Sequence, residues 1–397
     1  MASSSANGYK GTKHAFQSHL QKELPGILDQ ITGQWKVVWG LAVWKAWDFP
    51  FTGPDNSLFV AHSPGVIFDD GSIHEAYVVA IAGTNMSSVH DWMTEDFGIG
   101  SVVDFSKWVD SGITHQPVSV DKIRPDGTYA ATGTATVVHT LLTDPSPSGA
   151  ASAGLTLHEF LSGIPASSST RLVFTGHSLG GVLSPTMALA LVTSGALKAE
   201  ALVYPIAGPS PGNGSFANLF SRTFPASQCT APGVEYAVWN TNIINSLDIV
   251  PQVWCTKPED SPSQNLDNIS PIYGSPVLPT IEWGIAFLRA KANLIDTVYM
   301  PLQSRIISGG SPTSTRGVPE FLREAAKNHL TFYSDLFGKH RPEFTLERDD
   351  ELTEKTEEEE LCSHPIIGVI HLGHQDGSHT NTAVLAVRTN EEVPHGT

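Results

Sequence analysis

Apolar positions along the chain follow two periods, and their order outlines the fold. Glu75-Ala76-Tyr77-Val78-Val79-Ala80-Ile81-Ala82 is short, apolar and β-rich, and it stops at Gly83-Thr84-Asn85, which predicts a buried strand running into a loop. Residues 152–161 are compatible with a helix. A polar linker at 165–170 then leads into Arg171-Leu172-Val173-Phe174-Thr175, a second strand. Residues 182–192 are apolar at helical spacing and end near Gly195, where a C-terminal cap is expected. Residues 201–206 and 236–240 read as two further strands. Such alternation of β and α elements predicts an α/β fold: a mostly parallel central sheet flanked by helices.

The flanks are less regular. Residues 17–47 hold four of the nine tryptophans, and Trp35, Trp39, Val43 and Trp47 recur at four-residue steps. That spacing predicts a helix packed on the core by its aromatic stripe. From 258 to 319 the chain is rich in Pro and Ser with one helix at about 281–298, which reads as a cap inserted over the sheet. Residues 348–360 end in four consecutive glutamates, a solvated loop, and 366–388 return to strand-like alternation. The expected organisation is an N-terminal helical segment (1–70), a main α/β domain (71–345, with the insertion at 258–319) and an acidic loop with a strand-like extension (346–397).

Composition narrows the partners. A formal net charge of -17 argues against binding nucleic acid through a clustered cationic surface. Apolar residues make up 40% of the chain, but no run of about 18 of them occurs, so no transmembrane span is expected. The first eight residues lack the basic start and apolar core of a secretory signal. Three widely spaced cysteines, Cys229, Cys255 and Cys362, suit a reducing compartment better than a disulfide framework, with a Cys229–Cys255 bridge as the alternative. A cytoplasmic location is the expectation. Asn85, Asn213 and Asn268 head glycosylation sequons that would matter only in a secreted chain.

The chemistry centres on Gly176-His177-Ser178-Leu179-Gly180-Gly181, which lies between a predicted strand and a predicted helix. Gly-x-Ser-x-Gly in that setting makes a tight turn that lifts the serine hydroxyl clear, and the glycines relieve crowding. The helix N-terminus adds oriented amides beside it. A serine hydroxyl becomes a nucleophile only when a histidine takes its proton and a carboxylate holds that histidine. Asp248, in Ser246-Leu247-Asp248-Ile249-Val250-Pro251 just beyond a predicted strand, is the candidate acid; a turn aspartate is its plain structural reading. His177 points away from the serine on any such turn and is read as structural.

These landmarks resemble the class 3 lipases, the fungal lipase-like family of α/β-hydrolases. The chain has Ala82-Gly83-Thr84, then Asp91-Trp92 and Asp96, then the full Gly-His-Ser-Leu-Gly-Gly. It continues with Gly208-Pro209-Ser210-Pro211-Gly212-Asn213, Phe216-Ala217, Asp248-Ile249-Val250-Pro251 and His329-Leu330-Thr331-Phe332-Tyr333, in the family's order over about residues 75–335. The resemblance implies the α/β-hydrolase fold and a carboxylic ester hydrolase with Ser178, His329 and Asp248 as its triad. It implies an oxyanion hole made by the backbone N–H groups of Leu179 and Thr84, the Thr84 hydroxyl adding a third donor. Acylglycerols or related lipid esters are the implied substrates, short or unusual esters the alternative, and a non-catalytic binding protein the more distant one. No cofactor or metal is implied.

Residues 86–97 correspond to the family's lid helix. Trp92 there fits a cover that opens in transient contact with a lipid surface, and equally a side chain packed into the protein. Two departures stand out: Ala82 replaces the usual Arg, and Pro185 lies inside the helix after the serine, where a kink is expected. Among 16 histidines, His371 and His374 are the competing bases. His371-Leu372-Gly373-His374-Gln375-Asp376 is also the one stretch with zinc-ligand chemistry, although such clusters are mostly surface histidines.

Overall fold

The computed structural model describes residues 12–44, 56–83, 98–227, 236–274 and 277–337, together with the backbone of strands Ile366–Leu372 and Asn381–Ala386. The central sheet has seven strands: β1 (Lys36–Trp44), β2 (Asn56–Ile67), β3 (Ile73–Ile81), β4 (Thr170–His177), β5 (Glu200–Ile206), β6 (Asn242–Asn245) and β7 (Ser304–Ile307). They neighbour one another in chain order. The first three form an antiparallel meander, and every pairing from β3 to β7 is parallel. A parallel sheet must be covered on both faces. One face carries α1 (Lys13–Leu28), which contributes Phe16, Leu20 and Leu24 to a core with Phe59, Val78 and Val173. The other carries α2 (Leu179–Thr193), whose buried Leu183, Met187 and Leu191 meet Val79, Leu172 and Phe174.

The tryptophan stripe is a strand and not a helix. A step of four residues is two strand repeats as readily as it is about one helical turn, and the β-branched and aromatic Lys36-Val37-Val38-Trp39 run pairs with β2 from Lys36↔His62 to Trp44↔Asn56. Register shifts between Val37 and Trp39 and between Gly40 and Ala42 re-phase the strand. Trp35, Leu41 and Val43 therefore face the α1 side while Trp39 faces the α2 side. The helix predicted for the N-terminal segment ends at Leu28, upstream of that run. Gln17 ties the two together: its buried amide donates to Leu41 O and accepts from Val43 N. Trp47 lies outside the described residues.

The cap region also differs from expectation. Its helix, α3 (Pro279–Ala292), stops six residues early, and the chain then supplies Tyr299–Met300 to a small antiparallel sheet and β7 to the edge of the central one. The inserted segment thus completes the sheet as well as covering it. Buried Ile281, Ile285 and Leu288 of α3 pack with Leu247, Ile249 and Val250 around the end of β6. Residues 236–240 are not a strand: Asn240 adopts φ 61°, its side chain accepts from Val203 N and donates to Pro225 O, and β6 begins at Asn242. Pro185 sits inside α2 without ending it; the Gly181 carbonyl it cannot bond packs against Gly208.

Ile366–Leu372 and Asn381–Ala386 pair antiparallel. Among the described residues, no helix is long and apolar enough to cross a membrane. Cys255 is a buried free thiol, its Sγ 3.5 Å from Lys257 O; Cys229 and Cys362 lie outside the described residues. Asn213, head of a sequon, is buried with its side chain bonded to Phe216 N, Tyr129 N and Gly127 O, which leaves a glycan no room.

Trp39 is fully buried and its indole N–H donates to Leu155 O. Trp39→Ala should lower the stability of the chain by about 3–5 kcal/mol, read as a lower midpoint of urea unfolding with an unchanged slope.

Candidate active site

β4 ends in His177, α2 begins at Leu179, and Ser178 alone makes the turn between them, at φ 60° and ψ -120°. A side chain at positive φ is strained, and here the surroundings hold it. Ser178 N donates to Ile206 O of β5 at 2.9 Å, and Gly181 N closes back onto Ser178 O at 2.8 Å. Gly176 and Gly180 let the turn close: a Cβ on Gly180 would lie far inside contact with Ile81 O, and one on Gly176 would lie 2.6 Å from the same oxygen. Gly83 brings the end of β3 across the turn, since a Cβ there would lie 2.6 Å from His177 O and 3.1 Å from Ser178 Cβ. Ala82, where the family pattern has Arg, is buried in the apolar core, and its carbonyl accepts from Asn56 Nδ2.

Asp248 follows β6 and has no exposure to solvent. A buried carboxylate persists only when its oxygens are paired. Three donors meet it: Val250 N–H to Oδ1 at 2.9 Å, Tyr333 O–H to Oδ2 at 3.0 Å, and His329 Nδ1 at 2.8 Å from Oδ2. His329 is itself buried, and it sits in a π-helical turn, Lys327–Thr331, between two α-helices. Such wide turns concentrate at functional positions. Burial and the charge of Asp248 push the Tyr333 hydroxyl well above the ordinary tyrosine range, so it stays protonated. Its oxygen accepts from Asn245 N at 2.7 Å while its proton goes to Asp248. Asn245 in turn bonds Asn328 through its side chain, which locks the end of β6 to the turn carrying His329.

His177 connects this pair to the serine turn. Its Nε2 donates to the backbone carbonyl of His329 at 2.7 Å, and the two imidazoles lie 4.5 Å apart. Ser178 itself is buried, one residue beyond His177. Leu179 opens α2, which takes no side-chain cap from Ser178, while Gly181 N bonds back to the Ser178 carbonyl. Ser178, Leu179, Asp248 and His329 are thus gathered at one end of β4 and β6. Thr84 and Trp92 lie outside the described residues, as do His364, His374 and His379; His371 falls on the strand Ile366–Leu372. Among the described residues no three His, Cys, Asp or Glu side chains gather as a metal site. Tyr333, Asn245 and Asn328 were not singled out from the sequence. A phenol four residues after His329 was the available signal for the first.

The family model Lipase (class 3) matches residues 78–257. Over this stretch the chain is similar to the class 3 lipases. The match takes in Ser178 and Asp248 and stops before His329, whose placement rests on geometry. The solved structure of M37 lipase is similar over 84% of this chain and 89% of its own, with 26% identity and a TM-score of 0.59, and the fold is that of the α/β-hydrolases. Two other lipase structures are more distant. A lipase from Rhizopus microsporus var. chinensis (18% identity, TM-score 0.31) covers 50% of this chain and 52% of its own. A Rhizomucor miehei lipase propeptide complex (19%, 0.30) covers 55% and 50%, and neither likeness is strong enough to argue from. No curated protein sequence matches significantly.

Tyr333→Phe removes one donor from Asp248 and strands the buried Asn245 N–H. Stability should fall by about 1–3 kcal/mol and ester turnover by roughly tenfold, checked by urea unfolding and by steady-state rates on a short p-nitrophenyl ester.

Proposed function

We propose that the chain hydrolyses carboxylic esters through an acyl-enzyme on Ser178. The observation that carries this reading is the buried Asp248 Oδ2 to His329 Nδ1 contact of 2.8 Å at the turn where Ser178 is held at positive φ. With Nδ1–H given to Asp248, His329 Nε2 has a free lone pair to accept the serine proton. Ser178 Oγ bonds to the ester carbonyl carbon as its proton passes to His329, and the carbonyl π electrons move onto oxygen. On this reading the Leu179 N–H, the first amide of α2, donates to that oxyanion, which the position of Leu179 at the helix N-terminus supports. On the family's pattern the Thr84 N–H is the second donor, and the approach of Gly83 to Ser178 Cβ supports it. Collapse breaks the ester C–O bond, and the departing alcohol takes the proton from His329. Water then adds to the acyl carbon with its proton going to His329, and collapse returns that proton to Ser178 and frees the acid.

Lipid esters, acylglycerols or their relatives, are the proposed substrates on the strength of the family. Trp92 is proposed to lie on a cover over the site, consistent with its place shortly after Gly83. The buried free Cys255 and the enclosed Asn213 support the proposed cytoplasmic location.

Ser178→Ala should reduce turnover of p-nitrophenyl esters to background, and His329→Ala should cut it at least about 10³-fold. Full activity in Ser178→Ala would contradict the mechanism; full activity in His329→Ala would contradict the choice of base. A chain-length series of esters, with and without micelles, separates a lipase from a short-chain esterase. A rate that rises with acyl length and with micelle formation is the expected result.

A further inference from the structure

His177 has no step in the reaction above, yet it is the side chain that joins the nucleophile strand to the base. It is the last residue of β4, one position before Ser178. A carbonyl oxygen cannot donate, so the 2.7 Å contact to His329 O requires the proton on Nε2 of His177. The ring lies 4.5 Å from the His329 ring at an interplanar angle of 39°, and it meets Tyr333 edge-on at 5.3 Å. One side chain therefore meets two of the three residues that hold Asp248.

The contact falls where the helix is least able to fix its own geometry. Phe332 N bonds to Lys327 O across the wide turn, a five-residue step in place of the usual four. The base thus sits on backbone that departs from the α-helical ladder, at the residue whose ring must be aimed most finely. We propose that His177 is a positioning residue: its Nε2–H clamps the backbone of His329 to the strand end that carries Ser178 and fixes the distance between nucleophile and base. The proposal rests on the reading of His329 as that base.

The chemistry explains why a neutral ring does this. His329 becomes imidazolium each time it takes a proton, so a cationic neighbour at ring-contact distance would oppose that step. The titratable groups facing His177 are His329, Tyr333 and, through them, Asp248. Burial and the neighbouring His329 hold His177 well below the ordinary histidine range, so it remains an uncharged donor. An amide side chain could replace the donor without adding charge; an aromatic hydrocarbon could replace the ring without the donor.

The test compares His177→Phe, His177→Gln and His329→Ala on a soluble p-nitrophenyl ester. A misplacement of about 1 Å costs about 10²-fold in rate, so His177→Phe should lose about that much kcat with KM unchanged, and His177→Gln should recover most of it. A purely structural role would lower the unfolding midpoint of both variants and leave kcat per folded molecule alone. If His177→Phe keeps kcat within about twofold of wild type while His329→Ala is inactive, the clamp is overturned and the base stands. If His329→Ala is active, the reading of the base fails first. Wild-type protein labelled with ¹⁵N-histidine gives an answer independent of variant folding: His177 should show the Nε2–H form without titrating between about pH 5 and 8. A titrating His177, or one protonated on Nδ1, contradicts the proposal.

Discussion

The backbone of Ser178 is the constraint from which the site is built. A non-glycine residue at φ 60° is uncommon and strained, and nothing local to a strand–helix junction would keep it there. Packing does. The β5 backbone takes the Ser178 N–H, Gly181 returns to its carbonyl, and the ends of β3 and β4 approach the turn so closely that Gly83, Gly176 and Gly180 have no space for a side chain. The strain is maintained by the closure of three neighbouring strands around one residue. Ser178 immediately precedes α2, and a helix N-terminus is a region of partial positive charge.

The acid and base are then brought to this turn from the far part of the chain. β6 delivers Asp248 in parallel register with β5, and β7, drawn from the inserted segment, pairs on its other side from Asn242↔Ser304 to Asn245↔Ile307. The insertion does two things at once: α3 buries apolar side chains around the end of β6, and β7 closes the sheet beside it. Tyr333 and Asn245 connect that edge to the π-helical turn, so the Asp248–His329 contact spans two elements whose relative placement is fixed by hydrogen bonds from both. A buried carboxylate is costly unless fully paired, and Asp248 meets three donors, from Val250, Tyr333 and His329.

Much of this was legible in the sequence because it is local. A glycine-flanked serine between an apolar β-rich run and a helical one specifies strand, turn and helix within about twenty residues of chain, and all three formed where expected. The failures have a common cause in period. Trp35, Trp39 and Val43 at steps of four satisfy a strand as well as a helix, and the bulges that separate their faces leave no mark on spacing. Residues 236–240 look like a strand by composition, yet Asn240 leaves extended backbone to bond β5, and the strand begins two residues later. Tyr333, Asn328 and Asn245 act together only because a wide turn and a sheet edge meet, which no motif encodes. His177 was correctly read as turned from the serine, but its partner is a backbone carbonyl 152 residues away, and a backbone acceptor has no signature in sequence.

The central claim is that packing and a paired histidine make one serine hydroxyl reactive among many. Brief exposure of the full chain to an alkyl fluorophosphonate, followed by peptide mass spectrometry, tests it without assuming any substrate. The account predicts one phosphonyl group per chain, on the peptide containing Ser178, with labelling strongly slowed in His329→Ala. Stoichiometric labelling at another serine, or labelling of Ser178 at the same rate without His329, would contradict it.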